Sequence, residues 1–210
     1  MVESYLTKSK IGQFAINPYV GCPHACKYCY ASFMKRFTGH SELWGDFIDI
    51  KQARHKINGS QITGKNVFMG TVTDCYNPYE AKYGITRSIL KQLVGVDCYL
   101  QIATKNKLIL RDLDLLKKMK RLSVALSVNT LDENFRRDMD RASTVQERLE
   151  TLRTLHENGI YTILFMSPIF IGVTDWKAII ETSRSFVSEY WFEDLNLRGG
   201  YKNVIMQYVK

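Results

Sequence analysis

Short apolar segments alternate with longer stretches of helical period along this chain, and that alternation restricts it to a fold built from repeated βα units. The strand candidates are "QFAINPY", "NVFMG", "CYLQIA", "LSVALSV", "YTILFM" and "YWFEDLNL". Between them "ACKYCYASFMKRF", "TRSILKQLV", "LILRDLDLLKKMK", "TVQERLETLRTLHENG" and "DWKAIIETSRSFVSE" each place an apolar stripe on one helical face, and a short sixth helix is expected in "KNVIMQYVK". In the fourth helix Val145, Leu149, Leu152 and Leu155 form the stripe, Thr144 is the predicted N-cap and Gly159 the stop. Right-handed crossovers between such units give parallel strands, arranged either as an open doubly wound sheet or as a barrel-like wall.

In both arrangements ligands gather at the carboxyl ends of the strands. The segments expected there are "NPYVGCPHAC", "TVTDCYNPYE", "TKN", "NTLDENFRRDMDRAS", "SPIFIGVTD" and "RGG". The first two bring three clustered cysteines and a fourth, Cys75, to one rim. No internal repeat, low-complexity tract or linker interrupts residues 1–210, so one α/β domain is expected.

Composition narrows the partners. Hydrophobic residues at 45% and charged residues at 24% suit a globular chain of 210 residues and argue against disorder. The net charge is 29 − 21 = +8, and the segment from Gln101 to Ala125 carries seven Lys or Arg against two Asp. That balance favours a phosphate-bearing partner such as nucleic acid, and a solvated lysine-rich helix at "LLKKMKR" accounts for it equally well. No apolar run approaches the ~18 residues of a membrane span, and "MVESYLTKSK" lacks the apolar stretch of a signal peptide. Five cysteines, an odd number, do not read as a secreted disulfide framework. The expectation is a cytoplasmic protein with reduced thiols and no membrane association.

Three of those thiols, Cys22, Cys26 and Cys29, fall within "CPHACKYCY". Thiolates are preferred ligands for zinc and for iron–sulfur clusters, and these spacings bring them onto one site by local folding. A Cys₃His zinc site with His24 is one solution, although structural zinc usually joins two separated ligand pairs. A four-iron cubane held by three thiolates is the other. It leaves one iron without a protein ligand, as a catalytic zinc keeps an open position, and that vacancy admits a substrate or cofactor. A pure electron carrier would more often be closed by a fourth ligand. Cys98, at the start of the third strand, reads as a core residue.

The Cys-x₃-Cys-x₂-Cys spacing after a first strand, with an aromatic before the last cysteine, resembles the cluster motif of the radical S-adenosylmethionine (radical SAM) superfamily. The wider strings "NPYVGCPHACKYCYA", "TVTDCYNPYE", "ATK", "LSVNT" and "SPI", from about Asn17 to Arg198, resemble its spore photoproduct lyase-like branch. The resemblance implies a partial (βα)₆ barrel with the cluster loop after strand 1. It implies a [4Fe–4S] cluster on Cys22, Cys26 and Cys29 whose open iron binds S-adenosylmethionine. Reductive cleavage by a low-potential flavodoxin or ferredoxin electron would give a 5′-deoxyadenosyl radical that takes hydrogen from a substrate. Tyr28 would lie beside the adenine; Thr73, Lys105 and Ser127 match cofactor contacts of the branch, and Ser167 would approach adenine through its backbone.

Two departures limit what carries over. The lyases repair a thymine dimer with a cysteine hydrogen donor after strand 2, and Thr71 stands at that place here; Cys75 is the nearby alternative, with Tyr30 or Tyr76 continuing the relay. The chain also ends at Lys210, short of the segment with which the lyases engage duplex DNA. In the loop after strand 4, with Asn129, Arg136, Arg137, Asp138, Asp140 and Arg141, "MD" replaces the branch's Glu-Pro pair, and an exposed charged loop is an equally good reading. The net expectation is a lyase-like radical SAM enzyme of unidentified substrate. The competing reading is a non-catalytic zinc- or iron–sulfur-binding protein that binds nucleic acid or carries electrons.

Overall fold

The computed structural model describes residues 1–197 and 201–208, which leaves the "RGG" rim segment, 198–200, outside the described residues. Its strands are β1 (Leu6–Lys8), β2 (Phe14–Ile16), β3 (Tyr19–Val20), β4 (Asp49–Ile50), β5 (Asn66–Met69), β6 (Tyr99–Thr104), β7 (Arg121–Ser127), β8 (Tyr161–Ile169) and β9 (Glu189–Asp194). The main sheet has the order β1-β2-β5-β6-β7-β8-β9, with β3 and β4 paired separately as an antiparallel ribbon. From β2 to β9 every pairing is parallel, and each strand lies beside its predecessor in the βα series. A doubly wound sheet would reverse its strand order at a switch point. This sheet never does, so the crossovers wind one way and build the wall of a partial barrel.

The helices are α1 (Gly59–Ile62), α2 (Glu80–Tyr83), α3 (Ile85–Leu93), α4 (Leu113–Leu116), α5 (Glu133–Met139), α6 (Val145–Glu157), α7 (Trp176–Ser183) and α8 (Lys202–Ile205). Side-chain alternation sends Val67, Met69, Leu100, Ile102, Val124, Leu126, Leu164 and Met166 to the outer face of the wall. There they meet Ile89, Leu90 and Leu93 of α3, Leu152 and Leu155 of α6 and Ile179 of α7 in one core. Each such side chain contributes on the order of 1.5–3 kcal/mol by leaving water. Their neighbours Phe68, Ala103, Ser127, Phe165, Ser167 and Trp191 face the concave side, where the cavity lies. Cys98 is buried in the core.

Helix α6 has the start its sequence predicts. Thr144 accepts from the Glu147 amide at 3.2 Å while Glu147 accepts from the Thr144 amide at 2.9 Å, a reciprocal capping box. Other elements differ from expectation. The first strand stops at Ile16, because Pro18 has no amide to give and the Asn17 side chain instead bonds Thr71 and the Val72 amide. The stretch "ACKYCYASFMKRF" is not one helix. Ala25 adopts a positive φ of 48°, tight turns carry the chain to Cys29, and a 3₁₀ helix runs from Tyr30 to Phe37. In "LILRDLDLLKKMK" a 3₁₀ turn, Lys107–Asp112, precedes α4, and the break falls at Asp112, whose buried carboxylate is held by Arg87 and Arg111. The edge strand β1 and the β3–β4 ribbon carry no signal in the sequence pattern.

Candidate cofactor site

The cysteine loop leaves β3 through Gly21, whose φ of +86° and close approach to Phe47 admit no side chain. A Cβ there would stand 2.4 Å from the Phe47 carbonyl oxygen. The Thr73 hydroxyl, arriving from the loop after β5, donates to the Gly21 carbonyl at 2.6 Å and fixes the same turn from the other side. Beyond it, Cys22, Cys26 and Cys29 are free thiols that all line a cavity of about 420 Å³ at the carboxyl ends of the strands. Thr71, Thr73, Lys105, Ser127 and Ser167 line the same cavity, and so does Tyr30. These residues come from the ends of β2/β3, β5, β6, β7 and β8.

His24 does not complete a zinc set. It is 1% exposed, its Nδ1 lies 3.2 Å from the Asp74 carboxylate, off the alignment of a hydrogen bond, and its Nε2 meets the Asn106 amide at 3.3 Å. Among the described residues no three His, Cys, Asp or Glu side chains gather closely enough to hold a single metal ion. Burial works against charge on both partners of the pair. Mutual attraction outweighs it: His24 is pushed up to about 10, and Asp74, which also accepts from the Lys105 amide at 2.8 Å and the Thr104 hydroxyl at 2.7 Å, is lowered to about 2. The ion pair therefore ties the cysteine loop to the loop after β5 and to the end of β6.

That anchoring holds the Lys105 backbone and leaves its ammonium at the cavity, 5.6 Å from the centre of the Tyr28 ring. Burial pushes the Cys26 and Cys29 thiols up, and the Lys105 charge pulls both the other way. Three thiols at one cavity suit a metal cluster, because ligation to metal supplies the compensation that buried thiolates require, and the Lys105 charge favours the thiolate form of Cys26 and Cys29.

Three expectations are corrected. Tyr28, expected beside the adenine, does not line the cavity; it is buried with Met139, Phe170 and Ile205 in a second small core, with the Lys105 ammonium over its ring. Cys75 and Tyr76 are wholly buried in the outer core, the Cys75 carbonyl accepts from the Thr86 hydroxyl at 2.6 Å, and neither residue lines the cavity. A polar-looking loop is here folded inward, so the hydrogen-donor role expected of Cys75 and the relay through Tyr76 have no geometric path. Tyr30 does reach the cavity, and its hydroxyl donates to the Thr71 carbonyl. The loop after β7 divides: Asn129, Arg136 and Asp140 are buried, while Arg137, Asp138 and Arg141 are exposed. Sequence reasoning missed Phe165, Trp191 and Glu193, which line the cavity, and the bond from the Ser167 hydroxyl to Glu193. Alternation along β8 and β9 from Ser167 was the available signal.

A one-way parallel βα wall with a cavity at its carboxyl rim, lined by three free thiols, a lysine and strand-end hydroxyls, defines an α/β partial barrel. The sequence profile of the Radical SAM superfamily matches residues 16–182, and the chain belongs to that superfamily, which uses a [4Fe–4S] cluster and S-adenosylmethionine. It is 39% identical over 194 residues to the uncharacterized protein MJ0683 of Methanocaldococcus jannaschii, covering 91% of this chain and 74% of that one. It is 32% identical over 170 residues to the uncharacterized protein ORF301 of Acidianus two-tailed virus, covering 75% of this chain and 56% of that one. Among solved structures, a spore photoproduct lyase mutant with bound AdoMet and dinucleoside spore photoproduct superposes with a TM-score of 0.72 at 16% identity, over 96% of this chain and 62% of the lyase. Streptococcus suis SuiB bound to S-adenosylmethionine gives 0.59 at 14% identity, over 90% and 41%. At these identities the two structures bear on the fold alone.

Proposed function

We propose that the chain is a radical SAM enzyme in which Cys22, Cys26 and Cys29 hold the [4Fe–4S] cluster and the rest of the cavity holds S-adenosylmethionine and a substrate. The observation that carries this reading is the convergence of the three thiols, Lys105 and Ser127 on one cavity from segments far apart in the sequence. The bound cluster and S-adenosylmethionine supply one-electron bond cleavage and hydrogen-atom abstraction; the protein supplies binding, orientation and exclusion of water. Lys105 and Ser127 both line the cavity; the Lys105 ammonium would pair with the cofactor carboxylate, and the Ser127 hydroxyl would donate beside it. Thr73 spends its proton on the Gly21 carbonyl, so its part is to hold the cysteine loop. The Ser167 segment would flank the adenine, and Tyr28, buried behind the cysteines, would support Lys105 from below.

The substrate enters on the side of Tyr30, Phe165, Trp191 and Glu193, where the wall is aromatic with a single carboxylate. A low-potential flavodoxin or ferredoxin delivers the electron, in the cytoplasm, where thiols stay reduced. The test is anaerobic reconstitution with iron and sulfide, followed by reductant and S-adenosylmethionine and an assay for 5′-deoxyadenosine. Formation of that product, lost in Cys22→Ala, Cys26→Ala and Cys29→Ala and kept in Cys98→Ala, is the expected result. A wild-type chain that takes up zinc in preference to iron and sulfide, or makes no 5′-deoxyadenosine, overturns it.

A further inference from the structure

Behind the cavity wall a buried ion pair joins the strand end that brings Ser127 to the cavity to Tyr28, which is buried behind the cysteines with Met139 and Phe170 and stands under the Lys105 ammonium. Arg148, on α6, is 1% exposed, and each face of its guanidinium is committed. Nε donates to the Ser143 carbonyl at 2.7 Å, one terminal nitrogen to the Ser127 carbonyl at 3.1 Å, and the other to the Asp140 carboxylate at 2.5 Å. The same Asp140 oxygen accepts from the Ala142 amide at 3.0 Å, and its second oxygen accepts from the Tyr28 hydroxyl at 3.2 Å. An unbroken chain of contacts thus runs from the end of β7, through Arg148 and Asp140, to the residue between Cys26 and Cys29.

Replacing a pair buried this deeply by apolar groups of equal volume is commonly neutral or stabilising, so a net gain in stability does not account for its presence. Its geometry does something an apolar contact would not: it fixes one ring at one distance from one strand end. The backbone contacts around it are already made, with the Lys27 amide on the Met139 carbonyl at 2.9 Å and the Arg141 amide on the His24 carbonyl at 2.7 Å. What the carboxylate adds is the orientation of the Tyr28 ring, above which the Lys105 ammonium sits. We propose that Asp140 and Arg148 are positioning residues for the S-adenosylmethionine pocket, acting through the Tyr28 ring that lies under the Lys105 ammonium and through the Ser127 strand end, and that they have no part in holding iron. The inference rests on the function proposed above.

The experiment compares Tyr28→Phe, Asp140→Asn and the double variant with the wild-type chain after anaerobic reconstitution. It reads iron and sulfide per chain, melting temperature, and the Kd for S-adenosylmethionine by calorimetry without reductant. Expected are wild-type iron and sulfide in Tyr28→Phe, a Kd raised about tenfold in each single variant, and a double variant no weaker than the weaker single one, as residues acting through one contact behave. Tyr28→Phe removes a single hydroxyl and keeps the ring, so it decides the matter even where Asp140→Asn fails to fold. Unchanged affinity in Tyr28→Phe, additive losses in the double variant, or an affinity that falls only in step with iron content would overturn the proposal. A wild-type chain that loads its cluster and does not bind S-adenosylmethionine overturns the underlying function, and that outcome is read before any variant is made.

Discussion

At the scale of single residues, the site depends on which polar groups already have partners. Lys105 has its amide committed to Asp74 while its side chain lines the cavity, so Lys105→Ala removes the ammonium that the proposed function assigns to the cofactor carboxylate and keeps the backbone contact. It should weaken S-adenosylmethionine binding by about 1.5–3 kcal/mol, the range of a charge-assisted hydrogen bond, and Ser127→Ala by about 0.5–1.5 kcal/mol, as a neutral one would. Calorimetric titration of the reconstituted variants checks both, and equal affinity in Lys105→Ala would make it a surface lysine. Asp74 behaves in the opposite way, because its contacts are internal. Its carboxyl, lowered to about 2 from the usual 3.8, contributes stability that is present above about pH 4 and is lost as the pH falls through 2. Asp74→Asn should therefore cost about 2–4 kcal/mol at pH 6–7, and the difference from wild type should shrink toward pH 2. Urea unfolding of the metal-free chain at a series of pH values measures it; a pH-independent difference would show that the charge is not what matters.

At the scale of elements, the turn before Cys22 positions the cysteine loop and the start of α6 positions Arg148. Gly21 lies at φ +86° against the Phe47 carbonyl, and an alanine there must move either the ribbon or the cysteine loop. Gly21→Ala is expected to lower iron and sulfide incorporation more than it lowers the melting temperature, since the loop moves more easily than the β3–β4 pairing. Full incorporation in that variant would show that the loop tolerates the shift. At α6, Thr144→Ala removes half of the capping box and should cost about 1 kcal/mol in urea unfolding. Because α6 also carries Arg148, fraying at this end reaches the pocket through Arg148, which holds the Ser143 and Ser127 carbonyls and the Asp140 carboxylate. The element that departs most from its sequence pattern, the stretch from Ala25 to Phe37, does so because Ala25 takes a positive φ and tight turns at Cys22–Ala25 and Cys26–Cys29 bring all three cysteines to the cavity. A continuous helix would turn Cys26 and Cys29 onto one face and leave Cys22 off its start.

At the scale of the molecule, the net charge of +8 acts over distances that no single contact covers. Encounter with an acidic electron carrier should be faster at low ionic strength and slow steeply as the Debye length falls from about 30 Å at 0.01 M to about 8 Å at 0.15 M salt. Stopped-flow reduction of the reconstituted protein by a flavodoxin across that range tests the expectation. A rate indifferent to salt would free the charge for another partner, and a shift in DNA mobility with the same salt dependence would identify nucleic acid.

Periodicity alone determined the strands of the parallel wall and the helices α3, α6 and α7 that cover it, and the capping residue Thr144 marked the start of α6, because burial imposes alternation on a strand and a stripe on a regular helix. Local spacing alone brought out the cysteine loop, since Cys22, Cys26 and Cys29 need only a few turns to line one cavity. Partners separated by long stretches of chain were decided by the tertiary structure. Asp74 with His24, and Asp140 with Tyr28 and Arg148, meet only after the crossovers have wound and brought different loops to one rim. Cys75 shows the same division from the other side. Its neighbours Asp74 and Asn77 make the segment read as a polar rim loop, yet their side chains satisfy local backbone amides at Tyr76 and Tyr79. With those amides satisfied, Cys75 and Tyr76 turn into the core and leave the cavity to Thr71 and Thr73.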